Sequence, residues 1–256
     1  MSHLPRAFLR APIAHRAYHD IDAGRPENSR ASIEAAIEAG YGIEIDIQPS
    51  ADGRAMVFHD ETLERLTGHH GNIRYYSAEA LGRIGLLGGD EGIPTLAEVL
   101  ELVAGRVPLL IEIKDQDGAL GPNVGPLEDA VAAELESYAG DVALMSFNPH
   151  SVAALAAAAP ERPRGLTTCA FDSANWPELT ADARARLRGI EDFTRTGARF
   201  ISHDWHDLIN PRVTELKAAG AGVLCWTVRS PEEEAEARRV AQNVTFEGYA
   251  AVLPRA

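Results

Sequence analysis

Glu44 and Asp46 stand two residues apart in GIEIDI, and Glu112 occupies the same setting in LLIEIK. In both stretches isoleucines or leucines alternate with polar residues at a period of two. A β-strand sends successive side chains to opposite faces, so the apolar set enters a hydrophobic layer while the carboxylates project together on the other side. Three acids gathered in one place repel one another and are driven to take up protons unless a cation sits among them. Hard oxygen donors at that density suit Mg2+ or Ca2+. The competing reading of the same acids is a set of buried ion pairs, with Arg16 or Lys114 as partners.

Two histidines sit at comparable strand ends, His15 in AHR and His59 in VFHD. Imidazole titrates near neutral pH and can both take and give a proton, so the pair offers a matched base and acid. Arg16 adds a planar cation suited to phosphate oxygens.

These side chains converge only if several strand ends open onto one rim. Eight runs read as strands, at residues 12–15, 42–48, 107–114, 142–147, 164–170, 199–202, 222–228 and 243–247. Helical segments alternate with them. Asn28 is placed to cap a helix carrying Ile33, Ala36 and Ile37, which Gly40 can end. Thr95 and Glu98 form a capping box before Val99, and Ser230 and Pro231 open another helix. Strands alternating with helices imply parallel pairing, and eight units in a chain of 256 residues predict an α/β (β/α)8 TIM barrel. A doubly wound sheet is the alternative. In a barrel the strand face turned away from the helices points into the lumen, which places Glu44, Asp46 and Glu112 at the active rim. After Gln48 a second apolar run, 55–58, leads into a polar, glycine-rich stretch. This reads as a small insertion after strand 2, at about residues 60–92. No linker divides the chain, so residues 1–256 read as a single domain.

Composition excludes other classes. A formal net charge of -14 argues against a nucleic-acid or anionic-membrane binder, which needs a basic face. No run approaches the length of a membrane span, so no stable membrane insertion is expected. The N-terminal segment lacks a long apolar region, so no secretory signal is expected either. Cys169 and Cys225 both lie in strand-like runs and read as buried thiols, which suits a reducing, cytoplasmic setting.

The motifs HRA (15–17), PENS (26–29), GIEIDI (42–47), VFHD (57–60), IPTLAEVL (93–100), IEIK (111–114) and CWTV (225–228) occur in this order. Together they resemble the glycerophosphodiester phosphodiesterase family over residues 12 to 228. The resemblance implies a metal-dependent TIM-barrel hydrolase that converts small glycerophosphodiesters to sn-glycerol 3-phosphate and an alcohol. By matching motif positions, Glu44, Asp46 and Glu112 would hold one divalent cation, Mg2+ or Ca2+, and His15 and His59 would exchange protons, with His15 as the base. Arg16 and Lys114 would contact phosphate. Glu27 would sit beside the metal or the substrate hydroxyls, and Trp226 would wall the glycerol site. The nucleophile is either a neighbouring glycerol hydroxyl or water. A homodimer is compatible with these residues.

The chain departs from the family pattern in HRA for HRG and PENS for PENT. Its last strand, NVTFEGY, reads as lacking the usual acidic ending, and the closing helix reads as stunted or absent. SHDWHD carries His203 and His206, whose other reading is a second metal site. Two rival functions share the fold. One is a lysophospholipase D or cyclising phospholipase-D-like enzyme, which a greasy rim on the insertion would favour. The other is a non-catalytic binding protein, which would have lost a histidine or an acid.

Overall fold

The computed structural model describes residues 4–254. Its strands are β1 (Ile13–Ala14), β2 (Gly42–Pro49), β3 (Ala55–Val57), β4 (Leu109–Ile113), β5 (Val142–Ser146), β6 (Arg164–Thr168), β7 (Phe200–Asp204), β8 (Gly222–Val228) and β9 (Asn243–Phe246). β1 pairs in parallel with both β2 and β9, which closes the eight parallel strands into a barrel. β3 is the exception, running antiparallel to β2 as the start of the insertion. The eight predicted strands are all present, with shifted ends. The first shrinks to two residues, although the His15 amide still bonds the Phe246 carbonyl at 2.9 Å. The sixth predicted run extends to Asp204.

Helices α1 (Arg30–Ala39), α2 (Glu64–Thr67), α3 (Ala78–Leu81), α4 (Leu96–Val103), α5 (Pro126–Leu135), α6 (Pro149–Ala158), α7 (Ala181–Arg188), α8 (Pro211–Ala218) and α9 (Pro231–Ala237) complete the chain. Thr95 and Glu98 form the expected reciprocal cap, and Ser230 caps α9. Gly40 ends α1 in the left-handed region, at φ 77°. The cap of α1 differs from expectation. Ser29 fills that place, paired with Ser32, while Asn28 turns toward the barrel.

The two faces of each strand divide the interior. Ile43, Ile45 and Ile47 join Leu109, Ile111 and Ile113 in the layer beneath the helices, together with Ile33, Val99 and Leu127. On the other face Ile13, Leu110, Ala143, Phe200 and Leu224 fill the lumen floor, with Phe8 packed against them. Phe200 spans to β6, where a Cβ on Gly165 would lie 2.5 Å from its ring. Asn243 Nδ2 donates to the carbonyls of Phe8 and Ala11, both at 2.7 Å, fastening the N-terminal turn to β9. The floor is thereby packed as in other barrels, with the charged residues of the lumen at the opposite end.

The insertion has its own small core. Met56, Phe58, Leu63, Leu66, Ile73, Leu81, Ile84, Leu86 and Ile93 bury one another. Tyr75 and Leu87 remain exposed. Among the described residues no helix follows β9; the tail is held by Tyr41 Oη, which donates to the Ala251 carbonyl at 2.7 Å.

Candidate active site

Parallel register sets Asp46 beside Glu112 and Glu44 beside Leu110, so the acids of β2 and β4 share the upper lumen. Glu44, Asp46 and Glu112 each offer an oxygen within 4.8 Å of the others, and all three are buried. Among the described residues this is the group suited to a metal ion. Burial, then the charges of Asp46 and Glu112, push the Glu44 carboxyl well above its usual range. Burial would raise Asp46 too, but Lys114, His59, Arg16 and His15 outweigh it and hold that carboxyl far below the usual range.

Cations balance part of this charge. Lys114 Nζ lies 2.8 Å from Glu112 and 3.3 Å from Asp46. Burial would lower its pKa, yet Glu112 and Asp46 hold it above the ordinary lysine value. Arg16 Nε is 3.7 Å from Asp46, and the Arg16 amide donates to Glu44 Oε2 at 2.9 Å. Asn28 Nδ2 donates to Asp46 Oδ2 at 3.0 Å, and its carbonyl oxygen accepts the Asp46 amide at 3.3 Å. The ion-pair reading is therefore correct as far as it goes, but it is incomplete. Two cations face three carboxylates, and Arg16 is shared with Glu27 at 2.7 Å. The remaining negative charge on a set of oxygen donors is what a hard divalent cation would meet, so these residues fit such an ion.

Each histidine has one ring nitrogen occupied by a carboxylate. His15 Nδ1 donates to Glu247 Oε2 at 2.6 Å, and His59 Nδ1 donates to Asp60 Oδ1 at 2.7 Å. A carboxylate on Nδ1 fixes the tautomer that leaves Nε2 available to accept or give a proton. Burial lowers the His15 pKa below its ordinary value, against the opposing pull of the Glu247 hydrogen bond, which favours the neutral ring. An arginine backs each carboxylate: Arg229 Nε and Nη2 lie 2.8 Å from Glu247, and Arg65 Nε and Nη2 lie 2.7 Å from Asp60.

Glu247 corrects the reading of the last strand. An acid does follow it directly, and that acid bonds His15. Strand parity was the available signal, because Thr245 and Glu247 repeat the spacing of Glu44 and Asp46. Asp60, Arg65, Asn28 and Arg229 were also missed: Asp60 acts on its neighbour His59, while the other three act through contacts between more distant segments. Ala17 does adopt the conformation that glycine takes readily, at φ 63°.

His15, Arg16, Glu44, Asp46, His59, Glu112, Lys114 and Trp226 all line one cavity of about 190 Å³ at the barrel mouth, with Phe147, Thr227 and Arg229. Glu27 does not line it; Arg16 and Arg65 engage its carboxylate instead. Trp226 Nε1 donates to the Ser202 carbonyl at 2.9 Å, and its ring meets Phe147 edge-on with centroids 5.5 Å apart. Phe171 and Trp176 extend this aromatic wall. The second metal site is not assembled. His203 is fully buried against Thr168 and Asp207, whereas His206 is exposed and bonded to Asp204.

Fold and site together define a parallel α/β barrel whose mouth combines clustered oxygen ligands, two supported histidines and phosphate-suited cations. The chain belongs to the glycerophosphoryl diester phosphodiesterase family, whose model matches residues 15–244. It is similar to a glycerophosphodiester phosphodiesterase from Caldanaerobacter subterraneus subsp. tengcongensis, 34% identical over 164 residues, and to one from Bacillus altitudinis, 33% identical over 155 residues. The matched stretches cover 60% and 55% of this chain, and 65% and 59% of those relatives. An Oleispira antarctica phosphodiesterase, solved in complex with the product sn-glycerol-3-phosphate, superposes with a TM-score of 0.75 at 26% identity, covering 94% of each chain. A Thermotoga maritima glycerophosphodiester phosphodiesterase shares the fold, with a TM-score of 0.68 at 23% identity over 92% of this chain and 94% of that one.

Proposed function

We propose that the protein hydrolyses glycerophosphodiesters to sn-glycerol 3-phosphate and an alcohol, with residues 1–256 acting as a single domain. The observation that carries this reading is the convergence, in one cavity, of two carboxylate-supported histidines with three clustered acids, Arg16 and Lys114. The product complex of the Oleispira antarctica relative supports the substrate class.

Glu44, Asp46 and Glu112 would hold one divalent cation, Mg2+ or Ca2+. When bound, such an ion offsets the charge on phosphoryl oxygens. Arg16 and Lys114, both lining the cavity, bind and orient the phosphate. Glu27 holds the Arg16 guanidinium, and Trp226 with Phe147 excludes water along the glycerol backbone. His15, with Nδ1 committed to Glu247, takes a proton at Nε2 from the attacking oxygen; that oxygen is water, giving glycerol 3-phosphate directly, or a glycerol hydroxyl, giving a cyclic phosphate that water then opens to glycerol 3-phosphate. His59 gives a proton from Nε2 to the departing alkoxide.

Two features set the rival readings behind this one. Most apolar side chains of the insertion are buried in its own core, so no broad greasy rim faces a lysophospholipid. Both histidines and all three acids are present, unlike a barrel that only binds. Among the described residues no helix is long and apolar enough to cross a membrane. The two cysteines are free and buried, in keeping with a cytoplasmic setting. The test is identification of the product. Enzymatic detection of glycerol 3-phosphate from glycerophosphocholine and glycerophosphoethanolamine supports the reading, and release of phosphocholine or phosphoethanolamine instead would overturn it.

A further inference from the structure

One side chain of the insertion, Arg65, ties two groups of the site together. Arg65 lies on α2, outside the cavity wall, and its guanidinium forks onto two carboxylates at once. Nε and Nη2 hold Asp60 at 2.7 Å each, while Nη1 and Nη2 hold Glu27 at 2.9 and 2.8 Å. Beyond those acids stand two groups of the site. Asp60 accepts from His59, and Glu27 accepts from Arg16. A single planar cation therefore links the ring expected to protonate the leaving group with the guanidinium expected to bind the phosphate.

Stability alone is a poor account of this clamp. The Arg65 side chain is 48% exposed, which screens its ion pairs, although the forked geometry on two carboxylates gives them more weight than an isolated surface pair. Its geometry is more restrictive than its energy. Without Arg65, Asp60 loses both contacts that fix the plane of its carboxylate and keeps only His59. The ring would then turn with the carboxylate.

Building on the proposed hydrolysis, we infer that Arg65 is a positioning residue: by holding Asp60 against His59, it aims the His59 proton at the departing alkoxide. The insertion thus contributes to catalysis through Arg65 acting on Asp60.

The test compares two diesters of glycerol 3-phosphate, one with choline and one with p-nitrophenol. Protonation matters greatly for a choline alkoxide and little for p-nitrophenolate, which leaves as a stable anion. Both carry the same glycerol phosphate, so any effect relayed through Glu27 and Arg16 touches them alike. Arg65→Ala is expected to lower kcat for the choline ester by about tenfold or more while lowering that for the p-nitrophenyl ester by less than about threefold, in line with the contribution of general acids. Arg65→Lys, which keeps the charge but loses the fork, recovers only part of the loss, and added guanidinium ion rescues Arg65→Ala. Arg83→Ala, which removes an exposed ion pair with Glu79 elsewhere in the insertion, serves as the unchanged control. Equal losses on both esters, or no loss on either, would overturn the positioning role. Absence of wild-type activity on both esters would instead refute the proposed hydrolysis itself.

Discussion

Among the described histidines, His15 and His59 combine a carboxylate on Nδ1 with a place in the wall of the cavity. For His15 that carboxylate also ties catalysis to acid stability. Burial alone would raise the Glu247 pKa, but the hydrogen bond from His15 and the charges of His15 and Arg229 outweigh it and hold the group far below its ordinary 4.5. A carboxyl depressed in the folded state adds stability that is fully present above the unfolded pKa and disappears as pH falls through the folded one. Glu247→Gln is therefore expected to melt below wild type at pH 6 to 7, with the gap narrowing steadily below about pH 4.5. A gap that stays constant to pH 3 would show that the Glu247 charge does not stabilise the fold. At this scale the sequence was legible where period two held. Glu44, Asp46 and Glu112 declared themselves by alternation with isoleucines. Asn28 did not, because its residue type fits a helix cap equally well, and only the fold shows it bonded to Asp46.

Among the elements, the strands were legible almost throughout, since buried parallel strands read as short apolar runs. Their ends were less so. β1 is two residues long, and β7 runs on to Asp204 through polar residues that carry no strand signature. The insertion was visible as a break in the β/α rhythm, but not the contacts by which it meets the site, because ion pairs between irregular segments leave no periodic trace. The floor of the barrel offers a test of the element-scale account. Phe200 occupies the space that a side chain at Gly165 would need. Gly165→Ala is expected to cost about 1 to 3 kcal/mol by overpacking, seen as a lowered thermal midpoint without loss of metal binding. An unchanged midpoint would mean that the floor has slack.

For the whole molecule, the fold concentrates charge in a way its composition conceals. An acidic protein of net charge -14 gathers Arg16, Lys114, Arg65 and Arg229 around one mouth, then places three carboxylates beneath them. A ligand that binds the folded state alone stabilises it by mass action, about 2.7 kcal/mol at a hundredfold excess over Kd. Mg2+ or Ca2+ is therefore expected to raise the thermal midpoint of wild type. Glu44→Gln removes one of three mutually repelling acids, so without metal it should melt at or above wild type, and added metal should raise its midpoint far less. Equal gains in both proteins would place the ion elsewhere.

The most direct test is the rate at which glycerol 3-phosphate is released from glycerophosphocholine by wild type, with Mg2+ or Ca2+ and with a chelator, beside His15→Ala under the same conditions. The account predicts release with one of the metals, abolished by the chelator and reduced by about a hundredfold or more in His15→Ala, the scale of a lost general base. Undiminished release by His15→Ala, or none from folded, metal-loaded wild type, would contradict it.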